Sequence, residues 1–392
     1  MTERLYYTDS YLAEFDATVA GVDRIGDRPA AILDRTAFYP ASGGQPSDTG
    51  SLNDTPVLEV IDREDGAILH VLQHDIPVGP VHGRVDWSRR FEHMQQHSGQ
   101  HLLSAAFERL FRIRTDSFHL GSLSSTIDLA RAATPGEIDA AENEANRIVW
   151  EDRPITVRFA DAADAAALPL RKEPARAGRL RLIDMRDYDI SACGGTHVAT
   201  TGGVGMIAVA SSERFRGGSR IEFVCGVRAL RTFRALRDSV ASSVRLISVL
   251  PDELPAGIER LQGETKDVRR QLKAAEARLA GFEGAALAAR ATARGDARLV
   301  VDALDGWDPS GLKAIASAIT DRKGYVAILF NRQSPAAVVI ARSDGTAFDC
   351  AAGLKRLIAE FGGKGGGRPD LAQGGGLLAS PDALVAFASA LV

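Results

Sequence analysis

His97-Ser-Gly-Gln-His101 and, much later in the chain, Cys193-Gly-Gly-Thr-His197 are the two stretches on which the fold turns. Each presents two metal-capable side chains spaced i, i+4, and a tetrahedral zinc site takes four such side chains. The chain holds only three cysteines and eight histidines, so these two short segments concentrate its scarcest ligands. A zinc site is the first expectation.

Outward from His97 the sequence is helical. Ser88 is a suitable N-cap, and Phe91, Met94, Leu102, Ala105, Ala106 and Leu110 form one apolar stripe as far as Phe111. His93, His97 and His101 follow at four-residue steps, and any adjacent pair could chelate. At roughly 100° per residue, His97 and His101 flank the stripe and His93 lies almost opposite, so His93 is expected to face solvent. The two glycines between Cys193 and His197 suit a tight turn that points both side chains one way. Four protein ligands ordinarily make a closed, structural site, whereas a catalytic zinc keeps one position for water; whether Cys193 yields its place stays open. The absence of an acid beside the histidines, as in H-E-x-x-H, argues against a metalloprotease. His119 and Asp128 on the intervening strands could line the pocket, as could Asp187 and Asp189 just before Cys193.

The bulk properties bound the rest. A chain of 392 residues is too long for one ordinary core, and 45% apolar with 25% charged residues is a globular composition. There is no apolar run of the roughly 20 residues that a membrane span needs, and the start lacks a signal-peptide layout. Three scattered cysteines argue against a disulfide framework and for a reducing cytoplasm. The net charge of −4 means that any nucleic-acid surface must be local. Arginine clusters at 84–90, 109–114, 171–181 and 214–220 are the candidates, balanced against ordinary solvated faces.

The pattern along the chain is that of a multidomain α+β protein. Residues 1–88 carry short alternating runs (Ala13–Val19, Ala30–Leu33, Val57–Ile61, Ile68–Leu72) with turn clusters between them, which suggests a small β-barrel or sandwich. Residues 89–225 read as an α+β domain, with strands at Phe118–Leu123, Ser125–Leu129, Ile155–Phe159, Leu180–Met185, Val204–Ser211 and Arg220–Cys225, and a helix opened by Thr134-Pro135. Residues 226–294 read as two long helices about a proline turn. The seam Ile258, Leu261, Thr265, Val268, Leu272, Ala275, Leu279, Phe282 repeats as a heptad and would serve a helical hairpin or a coiled-coil dimer equally. Residues 295–392 read as an α/β domain, with Gly362-Gly-Lys-Gly-Gly-Gly-Arg-Pro-Asp370 and Gly374–Gly376 between its last two helices. Glycine this dense lets a backbone approach a ligand or another backbone; it matches neither a P-loop nor a dinucleotide fingerprint.

Four motifs in this order carry a family resemblance over almost the whole chain. Arg90-Phe-Glu-His-Met-Gln-Gln-His-Ser-Gly-Gln-His-Leu-Leu103 and Asp187-Tyr-Asp-Ile-Ser-Ala-Cys-Gly-Gly-Thr-His-Val198 resemble the two zinc motifs of the alanyl-tRNA synthetase editing domain. Phe38-Tyr-Pro-Ala-Ser-Gly-Gly-Gln-Pro-Ser-Asp-Thr-Gly50 resembles that family's barrel motif, with Ser42 where many relatives have glycine, and the Gly362–Asp370 region resembles the synthetase's C-terminal domain. With Met1 directly before the barrel there is no room for an aminoacylation core, so the chain resembles the free-standing, long AlaX editing proteins. That family is similar in fold to the threonyl-tRNA synthetase editing domain.

The resemblance implies a cytoplasmic, zinc-dependent hydrolase, with one Zn2+ per chain. It would deacylate Ser-tRNA(Ala), and in some members Gly-tRNA(Ala), because a synthetic site sized for alanine rejects such small differences weakly. The family's ligands fall on His97, His101, Cys193 and His197. Catalytic expectations are Cys193 and His197, with Gly194 and Gly195 as oxyanion donors. Substrate-binding expectations are His119 (at a position commonly glutamine in the synthetase), Asp128, Asp187, Gly43 and Gly44, with Lys364 and Arg368 for tRNA phosphates. Expected partners are mischarged tRNA(Ala), no membrane, and a second copy through the coiled coil or C-terminal domain. The rival readings are a non-catalytic, zinc-stabilised tRNA-binding protein and a deacylase of Ser-tRNA(Thr). A phosphoesterase would need an Asp-His-His triplet, which the sequence lacks.

Overall fold

Along Glu14–Ile25 apolar and polar residues alternate, so Phe15, Ala17 and Val19 turn inward while their neighbours stay outside. The same two-residue period recurs in the following strands, and six of them close a small barrel. Its order is Glu14–Ile25, Arg28–Leu33, Ile68–Leu72, Thr55–Asp62, Gly50–Leu52, Gly79–Val85. Phe15, Leu33, Phe38, Leu52, Val60 and Ile68 fill it. The computed structural model describes residues 1–161, 168, 170–171 and 179–392, and the chain divides into two units, Met1–Ser242 and Ser243–Val392.

A histidine sits inside the barrel. His70 is fully buried, with Nε2 on Thr36 Oγ1 at 2.8 Å and Nδ1 on the Ala31 carbonyl at 3.1 Å. Burial pulls its pKa down to about 4. The unfolded chain takes up this proton near the ordinary value of 6.5, so acid favours unfolding. Stability is full above pH ~6.5 and falls as the pH drops toward ~4, by roughly 3 kcal/mol at 1.36 kcal/mol per pKa unit. Urea unfolding at pH ~7 and pH ~4 should therefore show a smaller difference in His70→Asn than in the wild type. An equal difference would mean that other groups carry the acid sensitivity.

After the barrel, helix α1 (Trp87–Phe111) begins on Asp86, which accepts from Arg89 N. The cap is Asp86, not Ser88, because Asp86 N is tied to the Thr49 carbonyl of the barrel and the chain turns helical there. Contrary to the phase argument, His93 is buried, at 5% exposure, and Leu110 is exposed at 46%. A single-stripe reading assumes one covered face. Here the chain returns over the opposite face: Gln95 Nε2 donates to Gly203 O, Gln96 exchanges two hydrogen bonds with the Cys225 backbone, and Arg228 pairs with Glu92. Burial then pulls His93 down to about 4, helped by Arg89 and Arg228.

Helix α2 (Pro135–Trp150) starts in the expected capping box of Thr134 and Glu137 and packs on α1. Two antiparallel sheets complete this layer. One has the order Ile207–Phe215, Gly218–Cys225, Ser125–Leu129, Thr115–Leu120; the other has the order Ile155–Ala160, Leu180–Met185, Asp189–Ala192. The strand expected at Phe118–Leu123 thus ends at Leu120, and the one expected from Val204 starts at Ile207 after a 3-10 turn. Asp189–Ala192, too short and polar to show an alternation, is the strand whose end delivers Cys193.

The second unit holds a six-stranded sheet ordered Thr292–Arg294, Ala297–Leu304, Tyr325–Asn331, Ala336–Arg342, Leu371–Leu377, Lys364–Gly367. Its two faces carry separate apolar cores. The glycine-rich stretch folds as a β-hairpin. A Cβ on Gly365 would stand 2.5 Å from Gln373 O, and one on Gly367 2.3 Å from Ala372 Cα, so the glycines serve backbone-on-backbone approach. Helix Leu254–Ala289 buries Ala280, Leu287 and Ala288 near its end. Its heptad residues Ile258, Leu261, Val268, Leu272, Leu279 and Phe282 are exposed. Among the described residues no helix is long and apolar enough to cross a membrane.

Candidate metal centre

Helix α1 carries His97 and His101 one turn apart, and the turn after Asp189–Ala192 carries Cys193 and His197 toward them. The ligand atoms of all four lie within 4.8 Å of one another. Cys193 Sγ is 3.3 Å from His97 Nε2 and 3.4 Å from His197 Nε2. Each imidazole is held from behind: His97 Nδ1 by Gln45 Oε1 at 2.7 Å, His101 Nδ1 by Asp189 Oδ2 at 3.3 Å, and His197 Nδ1 by Ser98 Oγ at 3.1 Å. Such partners place the proton on Nδ1 and turn Nε2 inward as a ligand. Three imidazoles and a thiolate that converge in this way fit a metal ion, and they form a donor set that zinc takes.

The electrostatics agree. Burial alone would push the Cys193 thiol up, but the neighbouring His97 and His197 and a hydrogen bond from His101 outweigh it and hold the thiol well below its usual range. The thiolate is the form that binds metal. Burial pulls His197 down to about 3, with His97 adding to it, so its ring is neutral. Burial would also lower His101, but the hydrogen bond to Asp189 reverses the sign. Asp189 itself falls to about 2 against its burial, because Arg171 and His101 hold its charge.

The Cys193–His197 turn is held by Arg181, which donates to Tyr7 O at 2.9 Å, Cys193 O at 2.7 Å and Gly195 O at 2.9 Å. Gly195 has no room for a side chain, since a Cβ would stand 2.1 Å from His97 Cε1 and 3.0 Å from Gln45 Oε1. Its N–H points at Cys193 Sγ, 3.4 Å away. Of the two expected oxyanion donors, Gly195 is thus committed to the thiolate. Gly194, exposed, lies on the wall of an adjoining cavity of about 300 Å³.

That cavity is lined by Gly43, Gln100, Thr115, Phe118, Cys193 and Gly194, among others. Gly44 is outside the lining but packs on one of its walls: a Cβ there would stand 3.1 Å from the Phe118 ring. Other expected residues lie elsewhere. Residues 115 to 118 line the cavity, and His119, the next residue, is exposed and outside the lining. Asp128 is paired with Arg220 at 2.7 and 3.0 Å and accepts from Ser117, and Arg220 holds its carboxyl below the usual range. Asp187 sits in a left-handed turn beside a separate depression with Arg109 and Arg186. Lys364 and Arg368 belong to the second unit's hairpin, where Arg368 pairs with Asp370 at 3.3 Å.

The arginine clusters are divided: Arg84, Arg109, Arg112, Arg114, Arg179, Arg214 and Arg216 are exposed, while others hold the fold together. Arg90, Arg171, Arg181 and Arg220 each hold a buried or part-buried partner; Lys172 and Arg176 lie outside the described residues. Composition and spacing do not single out Gln45, Ser98, Gln100 or Arg181. The available signal was position: Gln45 ends the Gly-Gly-Gln of the barrel motif, and Ser98 and Gln100 stand between the two α1 ligands.

Residues 180–222 match the family model of the threonyl and alanyl tRNA synthetase second additional domain, and residues 296–392 match that of the DHHA1 domain. The chain is 32% identical over 388 residues to the alanyl-tRNA editing protein AlaX-L of Pyrococcus horikoshii, covering 95% of this chain and 94% of that protein. It is 32% identical over 390 residues to the alanine–tRNA ligase of Pyrococcus furiosus, of whose length it spans 42%. A more distant likeness is the crystal structure of the C-Ala domain from Aquifex aeolicus alanyl-tRNA synthetase, at 25% identity and a TM-score of 0.24 over 26% of this chain and 96% of that one. Matched nearly end to end to an editing protein, the chain belongs to the AlaX family of alanyl-tRNA editing proteins.

Proposed function

We propose that this chain hydrolyses the ester bond of mischarged Ser-tRNA(Ala) in the cytoplasm, with Gly-tRNA(Ala) as a second substrate and one zinc ion per chain. The observation that carries the reading is the thiolate–imidazole cluster, preorganised by Gln45, Asp189 and Ser98, with one side open to a cavity of amino-acid size. Zinc held by His97, His101, Cys193 and His197 would supply Lewis acidity toward the ester carbonyl and the attacking water.

The chain's own residues do the positioning. Gly194, on the cavity wall, would donate its N–H to the developing oxyanion, Gly195 N–H holds the thiolate, and Phe118 and Tyr39 supply aromatic walls. Water adds to the carbonyl, the terminal ribose hydroxyl leaves with a proton, and free serine is released. A second cavity of about 600 Å³ shares Cys193 and Gly194 with the first and is lined by Tyr7, Phe159, Arg179 and Arg181. Aromatic walls with guanidinium groups suit the terminal nucleoside.

In the same proposal, residues 1–88 and 89–225 form the editing half, while 226–294 and 295–392 contribute tRNA phosphate contacts, Lys364 and Arg368 among them, and pair two copies. Sedimentation of the full chain tests the pairing through the exposed heptad seam: a dimer is expected, and Leu272→Glu should shift it toward monomer.

The function itself is tested by incubating the protein with Ser-, Gly- and Ala-tRNA(Ala) and with Ser-tRNA(Thr). Ser-tRNA(Ala) should be consumed while Ala-tRNA(Ala) survives. Equal loss of both would defeat a proofreading role, and tight tRNA binding with every ester intact would favour the non-catalytic reading.

A further inference from the structure

We propose that Gln100 reads the side-chain hydroxyl of the acyl group, so that the cavity beside the metal cluster is built for a seryl rather than an alanyl or glycyl ester. This inference rests on the deacylase reading above. Gln100 lies on α1 immediately before the ligand His101, is 2% exposed, and lines the cavity with Cys193 and Thr115. Its Nε2 donates to Ser104 Oγ at 2.8 Å, and Thr115 Oγ1 donates to that same oxygen at 2.9 Å. Its Oε1 is buried and has no hydrogen-bond partner among the described residues.

Three neighbouring hydroxyls on this wall spend their protons on other groups of the protein. Ser117 is bound to Asp128 at 2.6 Å, Ser191 to Asp189 at 2.8 Å, and Thr115 to Ser104. Those hydroxyls can then only accept, whereas the Gln100 amide oxygen is the buried polar atom of this lining left without a partner among the described residues, and buried polar atoms are normally satisfied. A hydroxyl both donates and accepts, so it can pair with the amide in either orientation. The methyl of alanine and the hydrogen of glycine can do neither. The α-ammonium, which only donates, has the Asp116 carboxylate at the exposed rim. One unmade buried hydrogen bond is worth roughly 5- to 150-fold in affinity, which sets the scale of the preference.

The test is calorimetric binding of adenosine carrying a 3′-seryl, 3′-alanyl or 3′-glycyl amide, which cannot be hydrolysed as the ester is. The full chain as purified with its metal is compared with Gln100→Met and Ser104→Ala, metal content being measured on each. The wild type should favour the seryl analogue by roughly 30-fold. Gln100→Met should lose that preference by weakening the seryl analogue alone, and Ser104→Ala, which frees the amide without touching a ligand, should reduce it by several-fold. A preference that survives in Gln100→Met, or equal weakening of all analogues, overturns the assignment. Should Gln100→Met lose its metal, an unchanged preference in Ser104→Ala overturns it instead. Selective binding of the seryl analogue by a protein that leaves Ser-tRNA(Ala) intact would sink the deacylase reading while Gln100 kept its role.

Discussion

Cys193→Ala should purify with far less than one metal ion per chain and hydrolyse Ser-tRNA(Ala) about 10²–10³-fold more slowly than the wild type, the range seen when a single electrostatic stabiliser is removed. Cys193 is the one anionic ligand of the four, and its thiolate faces His97 Nε2 at 3.3 Å and His197 Nε2 at 3.4 Å. Without it three imidazoles remain as ligands, and the Gly195 N–H loses its acceptor. Fold stability should hardly change, since Cys193 is only partly buried at a cavity wall and Arg181 still grips the backbone carbonyls on either side. Metal analysis and single-turnover deacylation on the same preparation check both halves of the expectation. Full metal occupancy with unchanged rate would remove Cys193 from the ligand set.

Asp48→Ala should destabilise the first unit by about 3–5 kcal/mol, the usual loss when one partner of a buried ion pair is removed. Arg90, in the first turn of α1, and Asp48, in the barrel's glycine-rich loop, both have fully buried side chains. Arg90 Nε lies 3.1 and 2.9 Å from the two carboxylate oxygens, its NH2 reaches both Asp48 and the Ala37 carbonyl, and its NH1 donates to Ser10 O at 2.9 Å. Tyr39 N also donates to this carboxylate, at 2.7 Å. The pair thus bolts the histidine-bearing helix to the loop that carries Gln45, so metal affinity should fall along with stability. Chemical denaturation of wild type and variant gives the first quantity and competition with a chelator the second. A loss below ~1 kcal/mol would show that water can reach Arg90.

Local elements could be read where they rest on local chemistry. Alternation marked the barrel strands, and Thr134, Pro135 and Glu137 marked the start of α2, because those signals lie within a few residues of what they specify. The four candidate ligands were visible too, since histidine and cysteine are rare and their i, i+4 spacing is set by one turn of backbone. The errors came from surfaces that only distant chain can cover. Helical phase alone puts His93 in solvent, but the segment from Gly203 to Arg228 covers the helix face beside it. His119, expected at the pocket, is exposed one residue beyond the cavity lining.

What the sequence determined alone was therefore the inventory: a β-rich start, a helix and a later turn bearing three imidazoles and a thiol, a heptad seam, and a glycine-dense α/β end. Tertiary structure alone decided which polar atoms stand behind each imidazole, and that Gln100 keeps an oxygen unpaired among the described residues at the cavity. The reason is geometric. Whether a hydrogen bond forms depends on tenths of an ångström between residues as far apart in sequence as Gln45 and His97, and periodicity carries no information about such distances.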